Sequence, residues 1–469
     1  MKLFNNPELR RNLWLEFNKR RVIAMPLGLL AVFLVAYLQN NNDIDYKISW
    51  VGLVMYGILT FLWGTRQSSE TIIREVNLGT WAQQKMSNIN PWQMVWGKLV
   101  GSTAFVWYGN IFCFLFLGYT LRDKVPAKFF WYYLGLLITF GVLAQSVSML
   151  ISLYSMRYRN SFEKFEIMFF QVVGIASAIP MLSEDLWGGL FGFDRVGNEF
   201  FQDGRLLWYG NLYLVAPFVL TLTLFAIFWV LIGIYFSMKS EFLIDNNPIV
   251  WFLFVLSLVL VISGFDKPMS IFSSYNDRFP MPIGYAIAFN VVLTIMYIIA
   301  CGESKDALRL HLLKYFIASK QWGRFLAILP RTIVTLPVVI FVAALAVYNV
   351  RLPSGRAEEL MIVVPYCIFA AVFFMIRDVG IIYLFAIKNK GKNSDTLSPI
   401  LFILASYTLL PVFFVKNDFD FMAGLFFPWP QDMIWVTVLL PFIQAFIVIG
   451  QVVHEWVIKK QDWGIKSKA

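Results

Sequence analysis

The sequence predicts an all-α integral membrane protein of about twelve transmembrane helices in two six-helix units. Two features of composition and one pattern predict it. Apolar residues fill 59% of the 469 positions and charged residues only 14%, against about 25% charged in an ordinary soluble domain. The 46 Phe, 20 Tyr and 17 Trp would leave large apolar surfaces facing water with nothing to cover them. The pattern is a succession of apolar runs close to the roughly 17–25 residues that cross a bilayer. A soluble enzyme is excluded on these grounds.

The chain opens with Asn6-Pro7-Glu8, which reads as N-cap, first helical position and first-turn acid. Leu9, Leu13, Trp14 and Phe17 share one face of the helix that follows, and Arg10, Arg11 and Lys19 take the other. Such a helix is expected to lie in the headgroup plane on the cytoplasmic side. The basic stretch continues through Arg20 and Arg21 into an apolar run. Gln39, Asn40, Asn41 and Asn42 follow that run without a small-residue cleavage site, so an uncleaved first span is expected rather than a signal peptide. The spans are expected at residues 22–38, 49–63, 99–119, 129–154, 167–182, 212–238, 248–263, 281–300, 332–348, 360–375, 399–415 and 435–457, with residues 360–387 forming either one long helix or a span plus an interfacial segment.

The net charge is +10. With the N-terminus inside, both tails and the long loops at residues 64–98 and 301–331 fall on the side rich in Lys and Arg. The outside cluster Arg122, Lys124 and Lys128 and the inside loop with Lys239 alone fit the rule least well. The expectation is a multi-pass plasma (bacterial inner) membrane protein with both termini cytoplasmic. The positive charge is thereby a topology signal, and nucleic-acid binding has no support. Cys113, Cys301 and Cys367 have no CxxC spacing and His311 and His454 lack ligand-type neighbours, so neither a disulfide framework nor a metal site is expected.

The loop plan repeats. Each half has a long cytoplasmic loop after its second span and a longer outside loop before its last. Gly-Leu-Phe recurs in both outside loops, at residues 189–191 and 424–426, and Asn-Asn-Pro opens each half, at residues 5–7 and 246–248. The expected units are residues 1–240 and 241–469, with a central seam between two halves of the same orientation.

The first long loop carries the most chemistry. It holds Glu70, Arg74, Glu75 and Lys85, is interrupted at Gly79-Thr80 and Asn90-Pro91, and reads as a polar, exposed cytoplasmic helix–turn–helix. Ser87 or Asn90 is expected to cap a new helix at Pro91. Here the chain resembles the permeases of type-2 ABC exporters. The resemblance rests on Asn6, Pro7, Leu9, Arg10 and Arg11, then on Glu75, Gly79, Thr80, Pro91, Gly97 and Lys98, and on the outside segment from residue 183 to 205. It covers residues 1–240. The second half has no basic interfacial helix, and its loop (Glu303, Lys305, Asp306, Arg309, Ser319 and Trp322) lacks the Gly-Thr and the Pro. It reads as a diverged second permease unit.

The resemblance implies export driven by ATP on two separate nucleotide-binding (ABC ATPase) subunits. Those subunits would engage motor-coupling loops formed by Glu70, Arg74, Glu75, Gly79, Thr80 and Trp81 and by Glu303, Asp306 and Arg309. Pro7, Arg10, Arg11 and Trp14 would form the interfacial helix. Membrane lipids and periplasmic or extracellular accessory proteins are the other partners it implies. No Gly-x-x-x-x-Gly-Lys-Ser/Thr loop occurs, so ATP and Mg belong to the partner subunits and no cofactor or catalytic site is expected in this chain. The mostly apolar and aromatic lining of the expected seam suits a lipid-like or amphipathic cargo.

Two other classes compete. An ion-coupled secondary transporter normally needs ionisable groups in mid-membrane. The first eleven expected spans contain none, Arg377-Asp378 falls just past the tenth, and His454-Glu455 lies near the end of the last. Gln145, Gln171 and Gln444 read as helix–helix hydrogen-bonding residues. A membrane-embedded enzyme would need clustered carboxylates near one face. Glu184, Asp185, Asp194, Glu199 and Asp203 read instead as a solvated acidic loop.

Overall fold

The computed structural model describes residues 6–40, 46–87, 89–122, 125–156, 164–178, 205–242, 244, 246–265, 283–303, 307–350, 358–388, 397–417, 422, 425–426 and 436–458. The acidic loop, the first Gly-Leu-Phe, Lys124, Lys305 and Asp306 lie outside the described residues. The chain divides into two compact units, Met1–Leu206 with Leu212–Asn246, and Leu207–Asn211 with Asn247–Ala469.

The first unit runs through α1 (Pro7–Glu16), α2 (Lys19–Gln39), α3 (Tyr46–Gly57), a π-helical segment Ile58–Gly64, α4 (Thr65–Asn77), α5 (Trp81–Lys85), α6 (Pro91–Leu121), α7 (Ala127–Ser155), α8 (Lys164–Ala176) and α9 (Val215–Glu241). Strands β1 (Arg205–Trp208) and β2 (Asn211–Leu214) form a hairpin before α9. Tyr209 and Gly210 both have positive φ, 47° and 74°, the conformation a two-residue hairpin turn requires. The sixth expected span therefore begins as a strand, not as a helix.

The second unit contains α10 (Pro248–Ser263), α11 (Ile283–Gly302), α12 (Ala307–Ala318), α13 (Trp322–Ile328), α14 (Arg331–Tyr348), α15 (Glu358–Lys388), α16 (Leu397–Lys416) and α17 (Val436–Ile458). Its core is built from valines and methionines of α10, α11, α14 and α15, among them Val259, Val292, Met296, Val342 and Met375.

Among the described residues nine helices are long and apolar enough to cross a membrane. Three shorter apolar helices, Glu166–Ala176, Pro248–Ser263 and Ser398–Phe414, fall at three further expected spans. The protein is an all-α multi-pass membrane protein with a single hairpin in the described residues. Large apolar side chains such as Leu27, Leu30 and Leu34 on α2 and Phe446 on α17 are exposed, as lipid-facing positions require.

Two boundaries differ from the sequence reading, and a third that it left open is decided. The second span does not end at residue 63. α3, the π segment and α4 form one continuous helix to Asn77, because no proline or left-handed residue interrupts it before Gly79, at φ 70°. The third begins at Pro91 rather than Leu99, capped by Asn90 as expected. The tenth continues from residue 375 to Lys388 without a break.

The π segment has identifiable support. A π turn displaces backbone carbonyls from the ordinary helical ladder, and polar side chains of α7 and α8 reach them. Gln171 donates to the Leu62 carbonyl at 2.8 Å and Ser148 to that of Thr65 at 2.9 Å. Within the segment Thr60 accepts from Asn110 at 2.8 Å, and Trp107 donates to Gln145 at 3.0 Å. Gln145 and Gln171 thus bridge helices, as their polarity inside apolar runs predicts.

Candidate functional site

The site is assembled from α1, the end of α4, α5 and the start of α6. Asn6 caps α1, its Oδ1 accepting from the amides of Glu8 at 3.1 Å and Leu9 at 3.5 Å. The same side chain donates to the Gln93 carbonyl at 2.6 Å, so the cap is also a tether to α6. Asn90 caps α6 in turn, accepting from the Trp92 amide at 3.1 Å, while Gln93 Oε1 accepts from the Asn90 amide at 3.3 Å. Ser87, the other expected cap, donates to the Gln84 carbonyl instead.

Glycines let the two helices touch. A Cβ on Gly97 would stand 2.7 Å from the Glu8 Cβ and 2.9 Å from the Leu9 amide nitrogen, and one on Gly101 would stand 2.7 Å from the Asn12 Cβ. Spaced four apart, they form one small-residue stripe that admits a neighbouring helix at short range. Asn12 then donates to the Gly97 carbonyl at 3.0 Å.

At the centre is Lys98, whose side chain is 0% exposed. Its Nζ donates to Glu8 Oε1 at 3.1 Å and to Glu75 Oε2. Arg11 bridges the same two carboxylates, at 2.8 Å to Glu8 and through Glu75 Oε1. Two cations thus face two carboxylates, and the Trp81 ring lies 5.3 Å from Lys98 Nζ on another side. Burying one ammonium unpaired is prohibitively costly, so Lys98 folds into the protein only when Glu8 and Glu75 arrive from two other elements. Below it, Ile72, Met94, Val95, Met149 and Leu153 form a buried apolar cluster with Trp81.

The predicted coupling residues therefore separate into two groups. Glu75 and Trp81 are buried and cannot touch a partner, contrary to the exposed loop expected. Their neighbours Ser68 and Ser69 are buried too, bonded back to the Thr65 carbonyl at 2.8 and 3.2 Å. The physical reason is that α4 is the continuation of a packed span, so one of its faces stays inside. Glu70 pairs with Arg66 at 3.4 Å on the surface, and Arg74 is exposed. Gly79 makes the left-handed turn, and Thr80 closes it by donating its amide to the Glu75 carbonyl at 3.0 Å. The tip holds two apolar side chains that the sequence reading passed over, Leu78 at 66% and Met86 at 81% exposure. Their apolarity inside a polar stretch was the available signal.

The first helix has a protein-facing and an outward-facing side. Its protein-facing side is Asn6, Glu8, Leu9 and Asn12, largely polar, while Trp14, Leu15 and Phe17 are exposed. Pro7 holds the first helical position, Arg10 is exposed, and Arg11 belongs to the ion network. Glu16 accepts from Gln67 and pairs with Arg21 at 3.5 Å. Burial pushes its carboxyl above the usual carboxylate range, with Arg21 the main opposing influence.

In the second unit Glu303 accepts from the Arg331 amide at 3.1 Å and so holds the start of α14. The Arg309 side chain lies outside the described residues, as does Asp306. Lys320, at φ 55°, turns the chain between α12 and α13, where the first unit uses Gly79. Tyr315 and Trp322 are exposed beside it.

A second ionic site lies inside the second unit. Arg377 and Asp378, expected at the cytoplasmic surface, are buried within the candidate span Val363–Ile387. Asp378 Oδ1 accepts from Arg377 Nε at 2.9 Å and from Nη2 at 2.8 Å, and Oδ2 accepts from Tyr297 at 2.8 Å and Tyr407 at 2.7 Å. Arg377 Nη1 donates to Gln444 Oε1 at 2.7 Å, and its guanidinium stands 4.6 Å from the Phe374 ring. Arg377 lies about 17 Å along the helix from Lys388, a little over half of a hydrocarbon core about 30 Å thick. From sequence, residues 360–387 allowed either one long helix or a span plus an interfacial segment, and only the first form places the pair inside the membrane. No protein-family model, curated protein or solved structure matches the chain.

Proposed function

We propose that the chain is the transmembrane permease subunit of an ATP-driven ABC exporter. Its twelve spans form two six-helix units, with both termini on the cytoplasmic face of the plasma (bacterial inner) membrane. Two separate nucleotide-binding subunits hydrolyse ATP, and the cargo is lipid-like or amphipathic. The observation that carries the reading is the Glu8–Lys98–Glu75–Arg11 network beneath the exposed Leu78 and Met86. A partner that closes on that apolar tip pushes on α4, which is continuous with the second span. Through the buried ions the same push reaches α1 and the third span. A surface loop without such an anchor would absorb the displacement locally.

The test is to purify the full-length tagged chain in mild detergent, identify what accompanies it, and assay ATP hydrolysis. A stoichiometric P-loop ATPase, active in the complex, supports the reading. A chain that purifies alone, with no ATPase encoded beside it, sinks it. The second reading, a twelve-span carrier driven by an ion gradient, is favoured by one observation, the buried Arg377–Asp378 pair, since intramembrane ionisable groups mark ion and substrate paths.

A further inference from the structure

The Arg377–Asp378 pair is neutral overall but poorly matched. A guanidinium fork fits two oxygens of one carboxylate or phosphate in parallel. Here both donors, Nε and Nη2, fall on the single oxygen Oδ1. Adjacent residues on a helix do not face each other, and the second oxygen, Oδ2, is held away by Tyr297 and Tyr407. Among the described residues, the opposite edge of the arginine meets neutral acceptors, Gln444 Oε1 at 2.7 Å and the Leu425 carbonyl at 3.4 Å. α16 and α17, which supply Tyr407 and Gln444, expose large apolar side chains such as Leu404, Leu409 and Phe446.

We propose that Arg377 is the binding site for the oxyanion headgroup of an amphiphile, a carboxylate or phosphate on an apolar tail, with Asp378 as its built-in competitor. An incoming headgroup supplies the two-oxygen face that Asp378 cannot offer. It displaces Gln444 and the Leu425 carbonyl first, both neutral, while its tail lies against the apolar helices. Tyr297 and Tyr407 go on donating to Oδ2 when Asp378 yields the arginine, so the cost of exchange is confined to the one oxygen, Oδ1, that gives up its donors. The inference rests on the amphipathic-cargo reading and names the headgroup.

The experiment uses the full-length chain in a neutral detergent, with oleate, dioleoyl phosphatidic acid and oleyl alcohol as probes, read by binding and by the thermal midpoint. Oleate, phosphatidic acid or both should bind and raise the midpoint, and oleyl alcohol should not; which acid binds tighter identifies the source of the oxyanion. Arg377→Gln should abolish the difference. Asp378→Asn should bind the acid roughly tenfold tighter, because it removes the competitor and leaves the charge. Should that variant fail to fold, Arg377→Lys carries the test: it keeps the charge without the fork, and acid binding should fall about tenfold. Equal binding of acid and alcohol overturns the proposal, as does a folded Asp378→Asn that binds acid no tighter or an Arg377→Lys that binds like the parent. An active ATPase complex lacking acid-selective binding sinks this site and leaves the exporter standing. Acid-selective binding by a chain with no ATPase partner does the reverse.

Discussion

Lys98 and Glu75, 23 positions apart, meet in an ion pair from which the lysine side chain is wholly excluded from solvent. One partner opens a membrane-spanning helix and the other ends the helix that leaves the preceding span. Removing one side of such a pair strands the other, at a cost of about 3–5 kcal/mol. Lys98→Met should therefore lower the thermal midpoint sharply. The double variant Lys98→Met with Glu75→Gln should recover part of the loss, and a double-mutant cycle measures the coupling. Strictly additive losses would mean the pair does not act as a unit.

Gly97 sets how closely α1 approaches α6. Gly97→Leu should push the first helix off its seat, because backbone as well as side chain stands within 3 Å of the added carbon. Limited proteolysis of α1 in the folded protein reads this directly. Faster cleavage is expected in the leucine variant, with the spans unaffected by circular dichroism. Unchanged cleavage would mean that α1 is held elsewhere.

Leu78 and Met86 separate contact from anchoring. Because they are exposed, Leu78→Asp with Met86→Asp should leave thermal stability within about 0.5 kcal/mol. On the exporter reading the same change should release the ATPase during purification and reduce transport-coupled hydrolysis. Glu75→Lys should also reduce coupling, but by unseating α1 and lowering stability, since its carboxylate is inside. Retention of a fully active ATPase by the double aspartate variant would move the docking surface away from this tip.

Glu16 gives a pH dependence of known sign. Its carboxyl is raised by burial, opposed by Arg21, Gln67 and Arg74 and assisted by Glu70. Because the folded-state value is raised, this contribution to docking is fullest below the unfolded pKa of about 4.3 and is lost as pH rises through the folded value. Hydrogen exchange of α1 amides, corrected for intrinsic rates, should be slower in Glu16→Gln than in the parent at neutral pH. The two should converge as pH falls. A gap that stays constant across the range would assign the effect to packing instead.

What could be read from residues alone was local or compositional. The apolar runs determine an all-α membrane protein, because each span must satisfy its own backbone. Asn6-Pro7 and Asn90-Pro91 determine where two helices start, because a cap and its amides are only two or three positions apart. Where spans end was legible only in part, since a π segment and a charged pair extend helices past the last apolar residue. Which charges are buried was not legible at all. Glu75 looks like a surface acid, Lys98 like the edge of a loop and Arg377-Asp378 like the end of a span. Each is inside because partners come from other elements: Glu8 lies 90 positions from Lys98, and Tyr297 lies 81 positions from Asp378. A charge is tolerated in a low-dielectric interior only when its counter-ion and hydrogen-bond partners are held beside it. That decision belongs to the tertiary structure, because no single stretch of the chain contains all the groups that make it.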